Sequence, residues 1–129
     1  MSIPWSALTR AARDAARRAH APYSGFHVGA ALVDRTGRVF VGANLENVAY
    51  PLGVCAERVA LADWRARGGA PLIGVVVFTA TDRPTPPCGL CRDALLRFAP
   101  GAQICLATQR ARTGPWTASD FVPSPEVHS

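Results

Sequence analysis

The chain has 129 residues, 49% hydrophobic and 18% charged, and its formal net charge of +5 is carried by 14 arginines without a single lysine. That length and balance suit a chain that buries a core without disulfides, and they exclude a disordered or low-complexity polypeptide. No apolar run approaches the roughly 18 residues needed to span a bilayer, and the arginines form no dense block with interleaved aromatics, so neither a membrane nor a nucleic-acid partner is expected.

Ser6 to His20 is rich in helix formers, with arginines on one side and Ala and Leu on the other, and Pro22 is expected to stop this first helix. Arg10, Arg13, Asp14, Arg17 and Arg18 interrupt any signal-like apolar stretch here, which leaves the cytoplasm as the expected compartment. His27 to Asp34 and Arg38 to Asn44 are apolar strand candidates on either side of the turn Arg35-Thr36-Gly37, a spacing that predicts an antiparallel hairpin. After the loop Glu46 to Val54, Cys55 to Arg67 reads as a second helix closed by Gly68-Gly69. Leu72 to Ala80, with the run Val75-Val76-Val77-Phe78, reads as a strand buried on both faces.

A proline-rich loop, Thr81 to Pro87, leads into a third helical pattern, Cys88 to Phe98, which Pro100-Gly101 ends. Gln103 to Ala107 is a short strand, and the connection Gln109 to Gly114 is too short for a parallel crossover, so a strand carrying Trp116 should return antiparallel. With no repeat or linker to divide it, the chain is expected to be a single domain over residues 1–129. Its order of elements predicts an α/β fold, with a five-stranded mixed sheet layered between helices as α/β/α.

Cys55 and Cys88 each fall at a loop-to-helix junction, where unpaired backbone N–H groups and the positive dipole end favour thiolate over thiol. Cys55-Ala56-Glu57-Arg58 and Pro87-Cys88-Gly89-Leu90-Cys91 together offer Zn²⁺ three thiolates, with a fourth position left for water. Glu57 beside them suits proton transfer to and from that water and a substrate. Zinc with three thiolates has a net charge of −1, and Arg58, three residues after Cys55 on the same helical face, is the candidate to offset it. The pair Cys88-x-x-Cys91 alone is also compatible with a redox motif, and a structural zinc module would need a fourth protein ligand, for which Cys105 is the spare cysteine. Cys105 lies inside an apolar strand and reads as a small core residue. His20, His27 and His128 sit at a helix end, a strand start and the tail, and Trp5, Trp64 and Trp116 are too dispersed for a stacking platform.

At these residues the chain resembles the zinc-dependent cytidine deaminases, whose catalytic Glu lies outside the zinc shell. The resemblance runs in order from Ala21-Pro22-Tyr23-Ser24-Gly25-Phe26 through Val28-Gly29-Ala30-Ala31-Leu32 and Asn44-Leu45-Glu46-Asn47 to Tyr50-Pro51-Leu52-Gly53 and the cysteine motifs, roughly residues 20 to 100. It implies Cys55, Cys88 and Cys91 as zinc ligands and Glu57 as proton shuttle. It further implies Asn44 and Glu46 as ribose contacts, Phe26 against the base, and the Ala56 N–H on the base carbonyl. The implied activity is hydrolytic deamination of free cytidine and deoxycytidine by a homotetramer with a small-molecule nucleoside as its partner. Relatives that act on another aminopyrimidine or a nucleoside antibiotic are the alternative, and the Asn44-x-Glu46 pair, which the antibiotic deaminases do not usually carry, favours ordinary nucleosides. Two departures bear on selectivity: Asp93 stands where the family has Gln, and Glu126 stands where the family's tail brings an aromatic over the base.

Overall fold

The computed structural model describes residues 2–46, 54–81 and 89–121. It contains helix α1 (Trp5–Ala16), strands β1 (Val28–Asp34) and β2 (Val39–Ala43), helix α2 (Ala56–Ala66), strand β3 (Leu72–Thr79), helix α3 (Gly89–Phe98), and strands β4 (Gln103–Ala107) and β5 (Arg112–Trp116), followed by a 3-10 turn at Ala118–Phe121. The five strands form one sheet in the order β2-β1-β3-β4-β5. Only the β3–β4 pair is parallel; the other three are antiparallel. The mixed sheet and the element order agree with the sequence reading.

Alternation along the strands divides the core into two layers. Leu8, Ala12 and Ala16 of α1 pack on Ala31, Val33, Val76, Phe78, Cys105 and Ala107 on one face. Ala30, Leu32, Phe40, Val75, Val77, Ile104 and Leu106 face Ala56, Ala60, Leu61 and Leu95 on the other, beneath α2 and α3. At Gly42 an added Cβ would collide with the Ala56 carbonyl and the Ala60 N–H, so this glycine lets the first turns of α2 lie directly on β2. The far end of α2 closes as expected: Gly68, at φ +65°, and Gly69 donate back to the Arg65 and Trp64 carbonyls at 3.2 and 2.9 Å, a Schellman cap.

Helix α1 stops at Ala16, well before Pro22. The cause is tertiary: His20 donates its N–H to the Asn44 carbonyl at 2.9 Å and accepts from the Glu46 N–H at 2.8 Å. Those bonds form a parallel bridge between His20 and Leu45, which requires extended backbone and overrides local helix propensity. At the hairpin, the fully buried Asp34 organises the turn. Its Oδ1 accepts from the Thr36 N–H (2.9 Å), the Thr36 hydroxyl (2.6 Å) and the Arg38 N–H (3.0 Å), and its Oδ2 accepts from the Ala70 N–H at 3.0 Å. The return to β5 is tighter than expected, because the strand already begins at Arg112 and absorbs Gly114. Thr108 closes the connection by donating its N–H to the Ala111 carbonyl at 2.8 Å.

Candidate functional site

The starts of α2 and α3 and one end of the sheet meet where the sequence places its chemistry. Cys55 is the N-cap of α2, half-buried and with extended backbone, and its carbonyl accepts from the Arg58 and Val59 N–H groups at 3.1 Å each. It therefore stands at a helix end whose first N–H groups have no intrahelical acceptor. Cys91, in the first turn of α3, is fully buried. Cys88 lies outside the described residues, so the structure brings two of the three expected ligands into view.

Glu57 joins them. It is 4% exposed, an unusual burial for a carboxylate in the first turn of a helix. Burial pushes its pKa up to about 7, and the neighbouring Cys55 adds to the rise. Its own backbone N–H, a hydrogen bond with the Cys91 side chain and the charge of Arg58 pull the other way. Cys55, Glu57, Arg58 and Cys91 thus share one small region. Arg58 also borders a groove of about 420 Å³ between α2 and α3, walled by Trp64, Ala94 and Phe98. Cys105 stands apart, on the α1 face of the sheet, so it cannot supply a fourth sulfur to this cluster.

The ribose and base candidates reach the same end through a second bridge. Leu45 and Val54 exchange backbone hydrogen bonds at 2.9 and 2.8 Å as an antiparallel pair, which sets Asn44 across from Cys55. Asn44 extends the sheet with its side chain: Oδ1 accepts from the Val28 N–H at 2.9 Å and Nδ2 donates to the Phe26 carbonyl at 2.8 Å. The Glu46 carboxylate accepts from the Ser24 hydroxyl and from the N–H groups of Tyr23 and Ser24. Hydrogen bonds from the Ser24 hydroxyl and N–H hold this carboxyl below its ordinary value against some desolvation, helped by the Tyr23 N–H and the charge of His20. Phe26 is half-buried, and Ala56 is buried as the first residue of α2.

Ser24 is the participant that residue-by-residue reasoning did not single out as a site residue. Nothing local in Tyr23-Ser24-Gly25-Phe26 marks it, and only the hydrogen bond to a side chain 22 positions away reveals what its hydroxyl does. His20 and His27 serve as backbone partners, His20 in the bridge to Leu45 and His27 as acceptor for the Ala80 N–H at 3.1 Å, while His128 lies outside the described residues. Trp64 is a core residue whose Nε1 donates to the Ala70 carbonyl at 2.8 Å.

The family model described as the cytidine and deoxycytidylate deaminase zinc-binding region matches residues 5–107. Among curated relatives, the cytidine deaminase of Halalkalibacterium halodurans is 38% identical over 117 residues, covering 90% of this chain and 89% of the relative. The cytidine deaminase of Mycobacterium tuberculosis is 39% identical over 104 residues, covering 81% and 77%. Among solved structures, the cytidine deaminase from Burkholderia pseudomallei superposes with a TM-score of 0.83 at 38% identity, covering 95% of this chain and 98% of that one. The enzyme from Mycobacterium leprae gives 0.80 at 32% identity, covering 95% and 100%.

Proposed function

The chain belongs to the cytidine and deoxycytidylate deaminase zinc-binding family, and we infer that it deaminates free cytidine and deoxycytidine to uridine and deoxyuridine with release of ammonia. The observation that carries this reading is the buried carboxyl of Glu57, set among Cys55, Cys91 and Arg58 where two helices begin. The donor set fits zinc: Cys55 has the electropositive helix end that favours a thiolate, Cys91 is buried beside it, and Cys88 precedes Cys91 by three residues. Cys55, Cys88 and Cys91 would hold the ion, and Arg58 would offset the excess charge of three thiolates on a divalent cation. Bound zinc supplies a water molecule of lowered pKa beside the pyrimidine.

Glu57 does the proton work. It takes a proton from the attacking water, gives it to N3 of the pyrimidine as oxygen adds at C4, and then delivers a second proton to the departing amine. The water supplies the uracil oxygen, so cytidine and water become uridine and ammonia without a redox partner. Ala56 offers its N–H to the base carbonyl, because the first residue of a helix has no intrahelical acceptor for it. Phe26 packs on the pyrimidine face, and Asn44 and Glu46 hydrogen-bond the ribose.

By family likeness the protein is a homotetramer of single-domain subunits in the cytoplasm, with a nucleoside rather than a nucleic acid as its partner. No described helix is long and apolar enough to cross a membrane. An ultraviolet assay of the zinc-loaded protein tests the activity: cytidine and deoxycytidine should be turned over, free cytosine poorly and adenosine not at all. No turnover of either cytidine nucleoside would overturn the reading, as would equal turnover of cytosine. Light scattering of the same sample reads the subunit number.

A further inference from the structure

Much of the hydrogen bonding of the segment before β1 ends on side chains that the proposed function assigns to the ribose. Four successive N–H groups there have identified acceptors. Tyr23 and Ser24 donate to Glu46 Oε1 at 3.1 Å each, Gly25 to the Ala21 carbonyl at 2.9 Å, and Phe26 to Ser24 Oγ at 2.9 Å. The Ser24 hydroxyl in turn donates to Glu46 Oε2. On its other side, Phe26 offers its carbonyl to Asn44 Nδ2 at 2.8 Å. Both backbone polar groups of Phe26 are therefore held by side chains, one directly by Asn44 and one by Glu46 through Ser24.

Burial does little to fix the four residues that precede the half-buried Phe26. Pro22, Tyr23, Ser24 and Gly25 are exposed, Tyr23 by 65%, so little apolar area is removed from water to fix the segment. The hydrogen bonds must carry it, and they run in one direction. A hydroxyl has one proton and two lone pairs; here the proton goes to Glu46 and a lone pair receives the Phe26 N–H. The ionised acceptor at the end of such a chain strengthens the links before it.

We propose that Ser24 is a positioning residue of the nucleoside pocket, whose hydroxyl couples the Glu46 carboxylate to the Phe26 backbone so that the sugar side and the base side of the pocket form as one unit. The proposal rests on the assignment of Phe26, Asn44 and Glu46 to the nucleoside. A carboxylate offers about four acceptor sites, and Tyr23 and Ser24 occupy three of them, so Glu46 keeps room for one sugar hydroxyl.

The test combines a double-variant cycle on the zinc-loaded protein with amide hydrogen exchange at Phe26 in the absence of substrate. Loss of one such hydrogen bond in Ser24→Ala should raise the cytidine KM about three- to tenfold, with kcat changed less. In a Phe26→Ala background the same substitution should add less than about twofold, because the residue being positioned is gone. Ser24→Thr, which keeps the hydroxyl, should bring KM back toward the parent value. Exchange at the Phe26 amide should quicken in both Ser24→Ala and Glu46→Ala.

A full-sized KM effect of Ser24→Ala in the Phe26→Ala background would overturn the coupling and make Ser24 a direct contact. Unchanged Phe26 exchange in both single variants would overturn it as well. A parent protein inactive on cytidine whose Phe26 amide is nonetheless released by both substitutions would sink the substrate assignment while supporting the coupling.

Discussion

Asp34→Asn should weaken the fold while leaving the chemistry intact, because Asp34 lies at the end of β1 away from Val28 and the helix starts. The substituted side chain keeps one oxygen for Thr36 and Arg38 but turns an NH₂ toward the Ala70 N–H, which now bonds Oδ2 at 3.0 Å. Thr36 and Arg38 are exposed and can recover water; Ala70 is half-buried and recovers less. A hydrogen bond to a charged group contributes about 1.5–3 kcal/mol, and a stranded buried donor loses about 1–3 kcal/mol, so the net change is expected to be about 2–4 kcal/mol. For a chain of this length that lowers Tm by roughly 6–16 °C. The pH dependence has a definite sign. Burial opposes ionisation of Asp34, but hydrogen bonds from the Thr36 hydroxyl and the Ala70, Arg38 and Thr36 N–H groups outweigh it and hold the carboxyl below its usual 3.8. A carboxyl lowered in the folded state contributes stability that is complete above its unfolded pKa and disappears as pH falls through the folded one. Thermal unfolding of parent and variant, followed by circular dichroism, should therefore differ by a constant amount near neutrality and converge below about pH 4. A gap that persists undiminished to lower pH, or a variant as stable as the parent at neutral pH, would refute the argument.

Metal analysis should show that Cys55→Ala, Cys88→Ala and Cys91→Ala each lose zinc while Cys105→Ala keeps it, since Cys105 packs on the opposite face of the sheet. Glu57→Gln should retain zinc and fold but lose about 10²–10⁴-fold in kcat, the usual share of general acid–base catalysis; activity within a few-fold of the parent would remove Glu57 from the mechanism. Gly42→Ala should destabilise by about 1–3 kcal/mol in chemical denaturation, as its Cβ forces the first turns of α2 off the sheet. Phe121 packs edge-on against Trp116 at 5.8 Å and its carbonyl accepts from Arg92 Nη1 at 3.4 Å, so Phe121→Ala should lower Tm with little effect on cytidine KM. Glu126, which the family resemblance sets where an aromatic covers the base, lies outside the described residues; on that expectation Glu126→Phe should lower the cytidine KM by up to about tenfold in a steady-state assay.

Legibility in the sequence followed how locally each feature is determined. The order of elements was readable because hydrophobic period and Gly/Pro punctuation are local, and the antiparallel return to β5 followed from loop length alone. Cys55 and Glu57 were readable for the same reason: a cap and a first turn fix where both side chains point. The failures all involve partners distant in sequence. Helix α1 runs short because Asn44 and Glu46 capture the backbone of His20. Asp34 read only as the last residue of a strand, yet the bond that commits its second oxygen comes from Ala70, 36 residues away. Asn44 and Glu46 were expected as ribose contacts, and what only the fold reveals is that both side chains also hold the Tyr23–Val28 segment. That last difference changes how substitutions there should be read. Removing Glu46 deletes a sugar contact and also releases Ser24 and, through it, Phe26, so its effect on cytidine binding should exceed that of the lost sugar bond by the share carried through Phe26. A cycle pairing Glu46→Ala with Phe26→Ala separates the two contributions; strict additivity would mean that the carboxylate reads the sugar and nothing more.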